Sequence, residues 1–240
     1  MGAGQLTKRQ LIIFPFAGGS SSSLRDLAVW LEEPMELVYV DYPGHLLRSE
    51  ETLLESVPEL AFDSWRRIGG RLRAGYLVLG MSLGALVALE FVKVGKSFGK
   101  AAEGIVAISS VPPGRISMQG HFSHLPESEF VGELCARYPG DFSTMATDPV
   151  VREHLLPILR ADITAFESYG QRPLELVDVP CLAVGGTDDR SVSYWDLLAW
   201  GSCTTGQCVT RRVSGGHFLL EESGSQVAGE ILEWAQSLDR

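Results

Sequence analysis

A serine, two aspartates and a histidine that could together perform nucleophilic acyl transfer lie at separate points of the sequence, each a few residues or fewer after a short apolar run. Ser82 is the centre of Gly-Met-Ser-Leu-Gly, Asp188 and Asp189 follow the run Cys181–Gly186, and His217 follows Ser-Gly-Gly. A serine hydroxyl needs a base to take its proton, and the base needs a carboxylate that fixes its tautomer. Either aspartate could supply that carboxylate. These residue types therefore predict a serine nucleophile activated by a histidine and an aspartate.

The residues around Ser82 favour a tight turn between a strand and a helix. The apolar run Leu77–Leu79 precedes the pentapeptide, and an apolar helical pattern begins at Leu83. In a nucleophile elbow the serine sits on such a turn, and side chains two residues away on either side would collide, so both positions need glycine. Gly80 and Gly84 meet that need. The helix would also point its N-terminal amides towards negative charge developing at the serine.

The loop after the first apolar run of the chain could supply a backbone amide to the same reaction. Leu11–Phe14 is followed by Pro15 and the pair Gly18-Gly19. In elbow enzymes one amide after this strand joins the amide of the residue after the nucleophile to form an oxyanion hole. The predicted donors are the amides of Ala17 and Leu83. Without Ser82 downstream, the two glycines would indicate only a flexible turn.

The order Ser82, aspartate, His217 is that of α/β hydrolases, and the elements between these residues agree with it. Apolar strands alternate with helical patterns, which favours an α/β-hydrolase fold with a mostly parallel central sheet and helices on both faces. The predicted strands are Leu11–Phe14, Leu37–Val40, the run before Ser82, Ile105–Ile108, Cys181–Val184 and Val209–Val213. The predicted helices are one capped by Ser20 to Ser23 and running to Leu31, one within Thr52–Arg73, one from Leu83 to about Val94, and a last one through Val227–Trp234.

A long insertion separates the fourth and fifth predicted strands. The gap of about 70 residues far exceeds the few-residue loops of α/β units. It contains two amphipathic helical patterns, one around Phe130–Tyr138 and one from Val151 to Phe166 that Asp148 and Pro149 would open. We expect a lid at about 112–170, above the sheet edge where ligands bind in such folds. A helical pair that packs elsewhere is the alternative.

Bulk properties narrow the class of protein. The 240 residues are 45% hydrophobic, enough for one domain over 1–240, and the formal net charge is −10. That charge, without a dense basic block, argues against nucleic acid as a partner. No apolar run reaches about 18 residues, so we expect no membrane association and a cytoplasmic protein. A monomer is expected because no exposed apolar stripe beyond the lid stands out.

The cysteines and one further histidine have simpler interpretations. Four scattered cysteines favour reduced thiols, and the spacing of Cys203 and Cys208 matches no common zinc site. We expect neither a metal nor a cofactor. His45 follows a Tyr-Pro-Gly turn, where a solvated loop position is expected and His217 is the better-placed base.

The sequence resembles the free-standing type II thioesterases, the editing enzymes of nonribosomal peptide and polyketide synthesis, over nearly its whole length. The motifs that carry the resemblance are Phe14–Ser20, Tyr42–Gly44 with Arg48, Gly80–Gly84, Leu156–Asp162 and Gly215–Phe218. The Leu-Pro-Ile-Leu-Arg-Ala-Asp motif discriminates most, since general esterases share only the elbow. The resemblance implies hydrolysis of stalled or misprimed acyl groups from the phosphopantetheine arm of acyl or peptidyl carrier proteins.

The resemblance also bears on individual residues. The family's aspartate stands just before a short segment ending in valine, which implies Asp189 as the acid of the triad. Met81 stands where the family usually has histidine, Phe16 where histidine or tyrosine is common, and Arg190 where proline is frequent. We expect Phe16 and Met81 to line or flank the entrance, so they bear on acyl preference more than on catalysis.

Several other functions are compatible with these residues. A carboxylesterase acting on small oxygen esters would use the same triad, a carrier-protein-binding module would have lost turnover, and a releasing cyclase would normally be fused to a synthase. Carrier proteins are often acidic, like this chain, so docking would need apolar contacts or a local basic patch. A solvated helix face is the expected role of Arg66, Arg67, Arg71 and Arg73, and a docking patch for an acidic partner is the alternative.

Overall fold

One six-stranded sheet organises the molecule. The computed structural model describes residues 8–138 and 142–239. The spatial order of the strands is β2-β1-β3-β4-β5-β6, and every neighbouring pair is parallel. The strands are β1 (Arg9–Phe14), β2 (Met35–Tyr39), β3 (Tyr76–Met81), β4 (Ala102–Ile108), β5 (Cys181–Gly186) and β6 (Cys208–Val213). Strand order reverses between β1 and β3, and ligands of open α/β sheets bind at the carboxyl ends of strands at such a point.

Helices cover both faces of this sheet. They are α1 (Ala28–Leu31), α2 (Val57–Ile68), α3 (Leu83–Ser97), α4 (Glu127–Arg137), α5 (Ser143–Thr147), α6 (Pro149–Tyr169), α7 (Tyr194–Ala199) and α8 (Leu220–Ser237). None of these helices has the length and apolar character needed to cross a membrane.

Alternate residues of the buried strands serve two separate cores. Ile12 and Val78 pack with residues of α2 and α3 on one face. Leu11 and Leu77 pack with residues of α1 and α8 on the other. Side chains of successive strand residues point to opposite faces, so strands buried on both sides must be apolar throughout. The predicted fold class, an α/β-hydrolase fold with a largely parallel sheet, is confirmed.

The segment between β4 and β5 is helical, and its helices form a third apolar cluster. After a 3₁₀ helix at Pro113–Gln119 come α4, α5 and α6. The α4 helix contributes Phe130 and Leu134 to that cluster, α5 contributes Met145 and α6 contributes Leu159. The α6 helix starts as the sequence predicts, because the Asp148 side chain accepts hydrogen bonds from the amides of Val150 and Val151.

Two predicted helices differ from those in the structure. The residues after Ser23 form a 3₁₀ turn followed by the single-turn α1, and Ser20 to Ser23 do not cap it. Instead, the amide and hydroxyl of Ser21 donate to Asp41 at 2.6 and 2.9 Å, a partner twenty positions away that a local pattern does not reveal. The helix expected within Thr52–Arg73 is confined to α2 and a following 3₁₀ turn.

Candidate active site

Ser82 occupies the tight turn that joins β3 to α3. Its backbone has φ 52° and ψ −117°, a conformation that costs free energy for a residue with a side chain and that concentrates at functional sites. The glycines beside it are sterically required. A Cβ atom at Gly80 would lie 2.0 Å from the Gly84 carbonyl oxygen, and one at Gly84 would lie 2.3 Å from the Phe14 carbonyl oxygen. The predicted elbow geometry is present.

His217 and Asp189 form a hydrogen-bonded pair in the loops after β6 and β5. His217 Nδ1 lies 2.9 Å from Asp189 Oδ2, and the aspartate side chain is fully buried. Its other oxygen, Oδ1, accepts the amides of Ser191 and Val192 at 2.8 and 3.1 Å. These bonds hold the carboxylate, which in turn orients the imidazole so that Nε2 faces away from it.

Asp188 points elsewhere, so the structure separates the two candidate acids. Its residue is exposed, and its Oδ2 accepts the Thr187 hydroxyl at 2.8 Å. Its backbone amide donates to the Gly215 carbonyl oxygen at 2.9 Å. Asp188 therefore links the two loops through its backbone, while Asp189 contacts the histidine.

Gly186, a residue that the sequence analysis did not single out, allows these loops to meet. A Cβ atom there would lie 2.2 Å from the Gly215 carbonyl oxygen and 2.4 Å from that of Gly216. The end of β5 thus touches the backbone immediately before His217. In the sequence, Gly186 stands out only as a glycine at the end of an apolar strand. That position does not indicate a contact with residues as distant in sequence as Gly215.

Ser82 and His217 line the same cavity. It holds about 690 Å³ of space, part of it open to solvent. Within the described ranges, neither Ser82 Oγ nor the second ring nitrogen of His217 has a hydrogen-bond partner. In these ranges, therefore, no hydrogen bond joins Ser82 to His217, although both residues line the same cavity.

Helices of the segment between β4 and β5 provide much of the cavity wall. The lining side chains from this segment are mainly apolar and aromatic: Phe122, Leu134, Tyr138, Phe142, Leu159, Ile163 and Phe166, with Gln119 and Arg137 as polar exceptions. The Tyr138 ring lies 4.7 Å from the His217 ring, measured between centroids. Substrate carbon chains would meet an apolar surface here.

The two predicted oxyanion donors border this cavity. Ala17 occupies a turn closed by a hydrogen bond of 2.9 Å from the Gly19 amide to the Phe16 carbonyl, with Gly18 at φ 76°. A positive φ at the third turn position is typical of a type II turn and favours glycine. Leu83 is the first residue of α3, where the amide has no acceptor within the helix. Neither amide donates to another group in the part of the chain that the structure describes.

The two predicted substrate-binding side chains are in different environments. Phe16 lines the cavity, and its ring packs edge-on against Phe218 with centroids 4.8 Å apart. Met81 does not line it. Its side chain is 1% exposed and belongs to the core between the sheet and α8, because the last residue of β3 points to the face opposite the elbow. The expectation that Met81 flanks the entrance is wrong.

His45 is likewise in a different place from the predicted solvated loop. It is 2% exposed, with Nδ1 2.9 Å from the Pro43 carbonyl oxygen and Nε2 3.0 Å from Asp162 Oδ2. Asp162 lies on α6, 117 positions later in the chain, so no local pattern could indicate this contact. His45 does not line the cavity that contains Ser82.

Comparison with known proteins identifies the family. Residues 9–235 match the family model described as the thioesterase domain. The chain belongs to the thioesterase family. Thioesterases of this family are serine hydrolases that act on thioester bonds, so the chain is an enzyme of that class.

Individual thioesterases cover most of this chain. Thioesterase PikA5 from Streptomyces venezuelae is 31% identical over 233 residues, which are 92% of this chain and 79% of that protein. The solved structure of BorB, a type II thioesterase from the borrelidin biosynthetic cluster, aligns with a TM-score of 0.80 and 30% identity over 97% of this chain and 93% of its own. The predicted resemblance to type II thioesterases is confirmed.

A larger relative contains the same unit as a small part. The phenyloxazoline synthase MbtB from Mycobacterium tuberculosis is 26% identical over 225 residues, which are 91% of this chain and 15% of that synthase. Such units therefore occur both as most of a thioesterase and as a segment of a synthase.

Proposed function

We propose that this thioesterase hydrolyses acyl groups from the phosphopantetheine arm of an acyl or peptidyl carrier protein, with Ser82, His217 and Asp189 as its catalytic triad. The observation that carries the proposal is the His217–Asp189 contact beside an apolar cavity that also contains Ser82. The Leu-Pro-Ile-Leu-Arg-Ala-Asp motif and the similarity to BorB support a type II, editing role.

The geometry supports a two-step acyl transfer. His217 takes the proton of Ser82 while Oγ attacks the thioester carbonyl, and Asp189 stabilises the imidazolium. The amides of Ala17 and Leu83 receive the oxyanion. The intermediate collapses, the carbon–sulfur bond breaks, and the pantetheine thiolate leaves with the proton from His217. Water activated by His217 then attacks the acyl-serine, which releases the acid and restores the Ser82 hydroxyl.

We assign a lid function to the helices between β4 and β5. Their apolar side chains line the cavity that contains Ser82, where they would contact the acyl chain and limit its length and branching. Phe16 is the predicted substrate-binding residue on the sheet side. Apolar contacts of this kind distinguish two acyl chains that differ by one methylene by only about 1–3 kcal/mol.

The test compares the wild type with Ser82→Ala on one acyl group presented in three ways: on a carrier protein, on free pantetheine and as an oxygen ester. Wild type should release the acyl group from the carrier fastest, and Ser82→Ala should retain almost no activity while remaining folded. A fluorophosphonate should bond to Oγ of the wild type with loss of fluoride and should not label the variant. Faster hydrolysis of the oxygen ester would identify a carboxylesterase, and no labelling would identify a binding module.

A further inference from the structure

A buried carboxylate on α6 holds the turn that carries one of the oxyanion donors. Asp162 is fully buried, and its Oδ2 accepts the amide of Gly18 at 2.7 Å. That amide belongs to the peptide group directly after Ala17. The same oxygen lies 3.0 Å from Nε2 of the buried His45. One side chain thus joins the helical segment over the cavity, the oxyanion turn and the loop after β2.

Apolar packing of Phe16 and Ala17 and a hydrogen bond to the neighbouring Pro15 also hold the turn. Its flanking residue Pro15 accepts the hydroxyl of the buried Tyr42 through its carbonyl at 3.1 Å. A Cβ atom at Gly18 would lie 2.7 Å from the Leu159 side chain, so α6 also packs directly on the turn. The hydrogen bond from Gly18 to Asp162 is therefore the polar contact that fixes the orientation of the turn against α6.

The proton positions in this network follow from its acceptors. The Pro43 carbonyl oxygen can only accept, so Nδ1 of His45 must donate to it. The other ring nitrogen faces Asp162 Oδ2, which already accepts from Gly18. This contact is favourable when Nε2 also carries a proton, because both partners would otherwise present lone pairs. The pair is then a buried imidazolium and carboxylate.

The surroundings of His45 agree with a charged ring. Burial alone would lower the pKa of His45, but the hydrogen bond and negative charge of Asp162, the Pro43 carbonyl and the charge of Asp41 together raise it above its ordinary value. A buried pair of this kind contributes little net stability, whereas removing one partner leaves the other uncompensated.

We propose that Asp162 and His45 are positioning residues for catalysis: they hold the Ala17 amide at the place where the oxyanion forms. The inference rests on the proposed role of Ala17 as an oxyanion donor. His45 orients the carboxylate, the carboxylate orients the Gly18 peptide group, and the turn follows. Neither side chain touches the substrate.

The test uses the full chain, a butanoyl N-acetylcysteamine thioester as substrate, and the variants Asp162→Asn and His45→Gln. An asparagine removes the negative charge that keeps Nε2 of His45 protonated. Beside a neutral ring whose Nδ1 donates to Pro43, the amide oxygen can accept from Gly18 or the amino group can donate to Nε2, but one group at the shared position cannot do both. Loss of a complete oxyanion donor costs about 10²- to 10³-fold in kcat, so a displaced donor should cost about tenfold or more in both variants. KM should stay within about twofold, since the ground-state substrate does not use the donor in this way.

A control variant separates positioning from stability. Tyr169→Phe removes another hydrogen bond from α6 to the body of the protein, the partly buried 2.6 Å contact with Glu90, and neither residue lines the cavity. It should lower the melting temperature comparably and leave kcat within about twofold. The rate of fluorophosphonate labelling, which passes through a similar oxyanion, should fall with kcat in Asp162→Asn and His45→Gln alone.

Two outcomes would overturn the inference. If folded Asp162→Asn and His45→Gln keep wild-type kcat and labelling rates, the network is only structural. If Tyr169→Phe loses as much activity as they do, the loss reflects α6 as a whole. Ser82→Ala, measured in parallel, keeps the two proposals distinguishable, because full activity in that variant would contradict the proposed function instead. Should Asp162→Asn fail to fold, His45→Gln alone decides.

Discussion

Gly80 and Gly84 approach so closely that a Cβ atom on the first would lie 2.0 Å from the carbonyl oxygen of the second. This contact lets α3 turn back over the end of β3 and holds Ser82 at a positive φ. The close approach places the start of α3, with its free amide at Leu83, beside the serine. Backbone packing between Gly80 and Gly84 therefore positions both the serine and the Leu83 amide.

Gly80→Ala should accordingly prevent the native elbow from forming. A methyl group that meets backbone cannot be relieved by a rotamer change, so we expect a loss of about 3 kcal/mol or more in the free energy of unfolding. Urea unfolding measures it. The control is Gly229→Ala within α8, where nothing lies within 4 Å of the added atom and φ is not positive. That variant should gain about 0.5–1 kcal/mol. Equal effects of the two changes would contradict the steric explanation.

Asp189→Asn should be far more damaging to turnover than Asp188→Asn. The Ser191 and Val192 amides would select the oxygen of the new side chain and so turn its amino group towards His217 Nδ1. Nδ1 would then have to accept, which leaves the proton on Nε2 and removes the base. We expect kcat to fall on the order of 10³- to 10⁴-fold.

The matched variant Asp188→Asn keeps the backbone amide that donates to Gly215. It should retain kcat within about threefold, because among the described residues its side chain is hydrogen-bonded only to Thr187. Steady-state kinetics on one acyl thioester provides the comparison. The reverse ranking would assign the acid to Asp188.

Gly186→Ala should uncouple the two loops that carry Asp189 and His217. The added methyl group would meet the Gly215 carbonyl oxygen at 2.2 Å, so the end of β5 and the loop after β6 must separate. Since a displacement of about 1 Å can cost about 10²-fold in rate, kcat should fall by at least tenfold. Gly216→Ala lies on the same loop with nothing within 4 Å and should remain active. Normal kcat in Gly186→Ala would show that the loops do not depend on this contact.

The parts of the structure that follow from neighbouring residues could be predicted from the sequence. The strands, the elbow around Ser82 and the start of α6 at Asp148 and Pro149 each depend on residues within a few positions. The α/β-hydrolase fold and the thioesterase family followed from these motifs and their order.

The wrong predictions concern contacts between distant parts of the chain. His45 follows a turn, as predicted, but its burial depends on Asp162. Met81 stands next to the serine in sequence, yet its side chain lies in the core between the sheet and α8, whereas Ser82 lines the cavity. The choice between Asp188 and Asp189 depended on the resemblance, because adjacent carboxylates have the same local pattern. Only their different hydrogen bonds distinguish them.

The stability of the protein should depend on pH through His45. Asp162 on α6 and Asp41 after β2 are the acidic groups that raise its pKa, against the effect of burial, and the Tyr42 ring packs edge-on against it. A histidine whose pKa is higher in the folded state stabilises the folded protein. Its contribution to the free energy of unfolding is complete below the unfolded pKa of about 6.5 and is lost as pH rises through the folded pKa.

Comparison of the wild type with His45→Gln should reveal this contribution. The wild type should exceed the variant in the free energy of unfolding most at about pH 6 or below, and the difference should shrink steadily at higher pH, since glutamine does not titrate. Urea unfolding of both proteins between pH 5.5 and 9 measures this difference. In the control variant Tyr169→Phe, the difference from wild type should not shrink in this way as the pH rises. A difference for His45→Gln that stays constant across the range would show that the buried ring is neutral and that the contact with Asp162 is not an ion pair.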